Sequence, residues 1–162
     1  MAYIALIPKT SNPTSFKDYR PISMVGCIYK IVAKLMAKRL QSVISNLISP
    51  LQSSYVQGRQ ILDGALVASE VIESCKKRGT KTSLLKLDFH KAYDSVSWNF
   101  LKWVLEEMKF PPFWIERVMS CVTNASASIL VNRSPTVPFK LQRGLRQGDP
   151  LSPFLFVLIA ET

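Results

Sequence analysis

The sequence predicts an α+β domain, and three observations predict it. Apolar residues keep helical spacing from about Ser23 toward Pro50, and again through "SWNFLKWVLEEM" and "PFWIERVMSCV". A period of two marks "LLKLDF", while "ASILV" and "VPFKLQ" flank the turn-rich "NRSPT". These helix and strand signals do not alternate strictly, which separates the pattern from a parallel α/β sheet.

In chain order, "IPKTSNPTSFKDYRP" reads as a polar, Pro-punctuated loop with a short strand-like start. The first helix presents Val25, Ile28, Ile31, Val32, Leu35 and Leu40 as its apolar stripe and stops at Pro50. Lys30, Lys34 and Lys38 recur on another face, which suits a solvated surface or a phosphate-facing one equally. "QSSYVQGRQILDG" reads as a loop, and a second helix runs to about Lys77. "KKRGTKT" then turns the chain into the strand "LLKLDF". Its Leu85, Leu87 and Phe89 share one face, and Lys86 and Asp88 the other.

Ser97 is positioned to cap the helix that follows, whose inner side carries Trp98, Leu101, Leu105 and Met108. Pro111 and Pro112 reset the chain for one more helix. In the hairpin beyond it, Pro138 makes the second strand an edge. "RGLRQGDPLSP" is a Gly/Pro turn leading into the apolar helix "FLFVLIAE".

The chain has 162 residues, enough for one domain with a real core, and 48% of them are apolar. Its net charge is +10, from 21 Lys plus Arg against 11 Asp plus Glu, which favours a polyanionic partner such as nucleic acid. Three cysteines without a C-x-x-C pair argue against a disulfide framework or zinc site, and they fit a reducing compartment as buried small residues. Neither "AYIALIP" nor "FLFVLIA" is long enough for a signal core or a membrane span, so the expected location is intracellular, in nucleus or cytoplasm.

Several polar residues could carry chemistry. Asp88 ends a rigid strand on the face away from the apolar residues, a suitable platform for a carboxylate that holds a divalent cation against phosphates; a turn or capping aspartate has the same appearance. Asp94 suits a cap on the next turn better than a metal. Tyr93 can pack with its hydroxyl bonded, or form a floor under a sugar ring. His90, without a second His or Cys nearby, reads as a solvated loop residue. Gln147 and Gly148 combine an amide donor with close backbone approach, suited to a nucleotide face, although "GDP" alone explains a turn and a helix start. Arg20 offers a planar fork for phosphate, or is a simple loop arginine.

"IALIPK", "DYRPIS", "QSSYVQGRQILD", "LLKLDFHKAYDSVSW" and "GLRQGDPLSPFLF" occur in that order from about Ile4 to Glu161. Together they resemble the reverse transcriptases of LINE-type, non-long-terminal-repeat retrotransposons, especially those of plants. The resemblance implies part of a right-hand polymerase fold, with fingers over residues 1–82 and an incomplete palm over 83–162 holding motifs A and B. It implies RNA-directed DNA synthesis with two Mg²⁺ ions, an RNA template, a DNA primer and deoxynucleoside triphosphates. Asp88 matches a metal ligand, assisted by the backbone carbonyl of Phe89. Tyr93 matches the aromatic gate against a ribose 2′-hydroxyl, and Gln147 and Gly148 match the segment beside the templating base and incoming nucleotide. Arg20 matches the fingers arginine on the triphosphate, with Lys9 a weaker match and Asp94 in support. "SSYVQGRQILD" resembles an insertion that touches template RNA.

The family's remaining metal carboxylates lie on an Ala-Asp-Asp hairpin after motif B, and no Asp-Asp pair occurs in these residues. The expected thumb, endonuclease and RNase H segments are absent as well. The chain therefore reads as a fragment, inactive and poorly soluble alone. Other readings are a retained nucleic-acid-binding remnant and a group II intron-type reverse transcriptase with maturase activity.

Overall fold

The computed structural model describes residues 1–162. Its sheet is built from strands distant in sequence. β1 (Ala2–Pro8) and β2 (Tyr19–Val25) form an antiparallel hairpin, Ala2 opposite Val25 and Pro8 opposite Tyr19. β1 also runs parallel to β3 (Ser126–Val131), with Ala2 opposite Ala127 and Ile4 opposite Ile129. On its other side β3 pairs antiparallel with two short strands, β4 (Ser134–Pro135) and β5 (Phe139–Lys140). The β3–β4 turn is tight because Asn132 and Arg133 both take left-handed backbone, at φ 49° and 67°, the twist a two-residue hairpin needs.

The polar stretch keeps its strand-like start and its loop, which is the connection of a hairpin, but its end from Tyr19 belongs to β2, with Arg20 inside that strand. Asp18 closes its connection. Its carboxylate accepts from the backbone N–H of Thr14 and of Ser15, both at 2.9 Å. Those donors, Ser15 first, hold its carboxyl below the usual range.

Five helices complete the fold: α1 (Cys27–Leu47), α2 (Ile61–Arg78), α3 (Trp98–Glu107), α4 (Pro112–Thr123) and α5 (Ser152–Glu161). Leu40 and Ile44 of α1 meet Leu101, Val104 and Leu105 of α3, Val118 of α4, and Leu155 and Leu158 of α5 in one core. Ser97 caps α3 as expected, accepting from the Phe100 N–H. Gly79, at φ +65°, ends α2 with its own N–H and that of Thr80 turned back onto the last carbonyls. No helix is long and apolar enough to cross a membrane.

Three expectations need correction. First, α1 buries Ala33, Met36, Ala37, Leu40 and Ile44, while Ile28, Ile31, Val32 and Leu35 are exposed. The alanines are small enough to sit against neighbouring elements; of the expected stripe only Leu40 is buried, and Val25 lies in β2 rather than in the helix. Second, "LLKLDF" is not a strand: Thr80–Phe89 has no regular structure, and Leu84, Leu85 and Leu87 are 75–79% exposed. A period of two defines two faces but supplies no hydrogen-bonding partner, and neither sheet edge pairs with this segment. Third, the cysteines are not buried: Cys27 is exposed, and Cys75 and Cys121 are half-buried.

Leu85→Lys with Leu87→Lys is expected to change unfolding free energy by no more than about 0.5 kcal/mol, the range of surface sites, while lowering aggregation. Urea titration and light scattering check both parts. A large drop in the urea midpoint would mean that these leucines pack against something.

Candidate nucleotide-binding site

Two loops meet at the centre of the molecule. The turn Lys91–Ser95 leads into α3, and Leu141–Pro150 leads into α5. They are stitched together by four hydrogen bonds. Leu145 N–H donates to the Tyr93 carbonyl and Gly144 N–H to the Val96 carbonyl, both at 2.9 Å. The Trp98 indole donates to the Gly144 carbonyl at 2.8 Å, and the Arg143 guanidinium to the Ser95 carbonyl at 2.6 Å. Gly144 is required here: at φ +86°, a Cβ would lie 3.1 Å from Asp94 Cα and 3.2 Å from the Tyr93 carbonyl oxygen.

The next four residues are gripped by β2 and α1. The Gln147 carbonyl accepts from Ser23 N–H at 2.7 Å. Gly148, at φ +96°, lies so close to β2 that a Cβ would sit 3.0 Å from the Ser23 carbonyl oxygen. Arg146 and Asp149 form a buried ion pair at 2.9 Å, their side chains 10% and 3% exposed. The Tyr29 hydroxyl donates to Asp149 Oδ2 at 2.6 Å and accepts from Arg146, whose guanidinium also lies 4.3 Å over the Tyr29 ring. Arg146 reaches the Cys121 carbonyl at 2.7 Å, and Asp149 Oδ1 accepts from Leu151 N–H at the entry to α5. Burial, and then the Asp149 hydrogen bond, push the Tyr29 hydroxyl well above its ordinary pKa; burial also pushes up the Cys121 thiol.

A groove of about 390 Å³ opens beside these loops, lined by Pro21, Ser23, Asp94, Lys140, Arg143 and Gln147, among others. Asp94 and Gln147 therefore meet at one groove, while Tyr93 and Gly148, their chain neighbours, are not among its lining residues. Tyr93 is half-buried against the Phe156 ring, 5.3 Å between centroids, and burial followed by the nearby Tyr55 pushes its hydroxyl up to about 12. Phe89 rests edge-on against the same Phe156 ring at 6.0 Å. Arg20 is exposed on β2, opposite Ile7 and three residues before Ser23.

Other expected residues stand apart. Lys9 is spent inside the hairpin loop, where its ammonium donates to the Lys17 carbonyl at 2.6 Å. Asp88 is exposed, at the end of the irregular segment rather than of a strand. His90 is exposed, as expected. Arg59, in the predicted RNA-touching stretch, donates to the carbonyls of Ser49 and Gln52 and so folds that loop on itself. Divalent metal goes with polymerase chemistry of this kind, but the donor set here does not fit a complete site: no three His, Cys, Asp or Glu side chains converge.

The sequence reading missed Tyr29, Arg146 and Asp149. The two charges flank Gln147–Gly148 three residues apart, a spacing that signals an ion pair within one turn. Nothing in the sequence points to Tyr29 as their partner across the fold.

A model of the family "Reverse transcriptase (RNA-dependent DNA polymerase)" matches residues 7–162. The chain belongs to that family, among the non-long-terminal-repeat retrotransposon proteins. It is 34% identical over 160 residues to the transposon TX1 uncharacterized 149 kDa protein of Xenopus laevis, covering 99% of this chain and 12% of that protein. It is 30% identical over 156 residues to a retrovirus-related Pol polyprotein from the type-1 retrotransposable element R2 of Popillia japonica, covering 93% of this chain and 21% of that one. The corresponding R2DM polyprotein of Drosophila melanogaster is 28% identical over 161 residues, with 99% of this chain and 15% of the polyprotein covered. The chain thus spans a small part of each relative. These are animal elements, and the special likeness to plants is not borne out.

Asp149→Ala is expected to cost about 3–5 kcal/mol in urea unfolding, because it leaves the Arg146 charge buried and unpaired. A cost under about 1 kcal/mol would show that Arg146 swings out to water. Alkali is expected to destabilise the protein. Tyr29 and Tyr93 have folded-state pKa values raised above 10.0, so their contribution is complete below that pH and is lost as pH rises through the folded values. Urea midpoints measured upward from about pH 9 should fall; a flat profile contradicts the burial of both hydroxyls.

Proposed function

We propose that the chain forms the fingers, over about residues 1–82, and the first part of the palm, over 83–162, of an enzyme that extends a DNA 3′ end on an RNA template. One observation carries the reading: the stitched Lys91–Ser95 and Arg143–Asp149 loops border a groove lined by Asp94 and Gln147, with Tyr93 tied to the second loop through its backbone carbonyl. In this reading the Tyr93 ring limits the space at the sugar 2′ position, by shape rather than by charge. The Gln147 amide and the Gly148 backbone face the base and sugar of the incoming nucleotide. Arg20, exposed on the strand that carries Ser23, reaches for triphosphate oxygens. Asp88 contributes one carboxylate toward Mg²⁺, and the rest of such a site lies outside these residues.

The net charge of +10 supports contact with the phosphate backbones of template and primer. A second reading, nucleic-acid binding without catalysis, is favoured by the lack of converging carboxylates. A single assay separates the two: deoxynucleotide incorporation on a primed RNA template with Mg²⁺, with Asp88→Ala as the blank. The 162-residue chain is expected to match the blank, and incorporation above it would show that these residues complete a site by themselves. Binding to an RNA–DNA duplex is expected to weaken at least about tenfold from about 50 to about 200 mM salt, the loss from about two neutralised phosphates. Salt-independent binding would rule out a phosphate-dominated contact.

A further inference from the structure

Tyr29 stands on the first turn of α1, far in sequence from the loop it contacts. It is the one residue outside that loop that bonds to both Arg146 and Asp149, the residues immediately before and after Gln147–Gly148. Ser23, six residues earlier, holds the dipeptide itself, through its N–H on the Gln147 carbonyl. Four consecutive residues are therefore fixed by one short stretch of β2 and α1. The fixing is directional. Apolar packing would tolerate small rotations of the loop, whereas a hydroxyl that donates to a carboxylate and accepts from a guanidinium fixes both neighbours in angle as well as distance. A pair buried only for stability would gain little over apolar residues of the same volume. Here the pair brackets Gln147, which lines the groove, and Gly148, which packs against β2.

We propose that Tyr29 is a positioning residue, which sets the placement of Gln147 by holding Arg146 and Asp149 from α1. This rests on the reading of Gln147 as a nucleotide contact, and it makes nucleotide affinity depend on a hydroxyl that never touches the nucleotide. Through Tyr29 and Ser23, any displacement of the β1–β2 hairpin and α1 is transmitted to Gln147.

The test is Tyr29→Phe in the 162-residue chain, which keeps the ring over Arg146 and removes only the hydroxyl. Tyr29→Leu removes both and serves as the second variant. Three quantities are read: amide exchange at Ser23 compared with Leu155 and Leu158 in α5, the NMR position of the Gln147 side-chain amide, and the affinity for dTTP with a poly(rA)·oligo(dT) template-primer. In Tyr29→Phe, Ser23 should exchange about tenfold faster relative to the α5 amides, the Gln147 amide should shift, and dTTP should bind about tenfold more weakly. Tyr29→Leu should move all three further. Equal acceleration at Ser23 and in α5, with the Gln147 amide unmoved, would reduce Tyr29 to a stabilising residue and overturn the proposal. Unchanged dTTP affinity beside a shifted Gln147 amide would overturn it too. If the unaltered chain binds no dTTP, the nucleotide reading of the groove fails, and Ser23 exchange with the Gln147 amide still decides whether Tyr29 places that residue.

Discussion

The Asp149 carboxylate lies 3% exposed between a guanidinium and a phenol, and a carboxylate at that depth persists only while its partners stay in reach. Arg146 comes from the same loop, Tyr29 from α1, and the Leu151 N–H from the start of α5. Arg146 in turn holds the last turn of α4 through the Cys121 carbonyl. Three helices are thus fixed relative to one loop by a handful of polar atoms, and the apolar core of α1, α3, α4 and α5 packs around that arrangement. The hydrophobic effect supplies compactness without direction; the ion pair and its phenol supply the angle at which the loop enters α5.

The same loop is held a second time, by backbone rather than charge. Gly144 and Gly148 both take positive φ, and each has another segment's backbone where a Cβ would stand. At Gly144 that backbone belongs to Tyr93 and Asp94, and at Gly148 to Ser23. The loop is the place where the aromatic turn before α3 and the hairpin strand β2 come into register. Asp94 and Ser23, which make these two contacts, both line the groove beside the Arg143–Gln147 stretch.

Much of this was legible in the sequence, unevenly and for physical reasons. The bounds of α3 and α4 could be read because Ser97 and the Pro111–Pro112 pair act locally, through capping and fixed φ. The β3–β4 turn was equally local. The buried face of α1 was not readable, since Ala33 and Ala37 are chosen for closeness to neighbours that the sequence does not display. The "LLKLDF" stretch failed in the opposite way: its alternation is real, but pairing belongs to two segments, and one segment's pattern cannot create the other. The loops around Tyr93 and Gln147 were found through ordered motifs. The buried triad was not, because Arg146 and Asp149 look like ordinary loop charges until α1 brings Tyr29 over them.

The parallel pairing of β1 with β3 bears on how the chain acquires its shape during synthesis. Ala2 sits beside Ala127, so β1 gains this neighbour only after about 125 further residues are made. At ordinary translation rates that interval is on the order of ten seconds, long compared with hairpin closure in microseconds. The β1–β2 hairpin can close early, but one of its edges waits open while four helices are produced. Throughout that interval β1 keeps a strand edge available to other chains. Close spacing of translating ribosomes therefore favours association through that edge, whatever the stability of the finished fold.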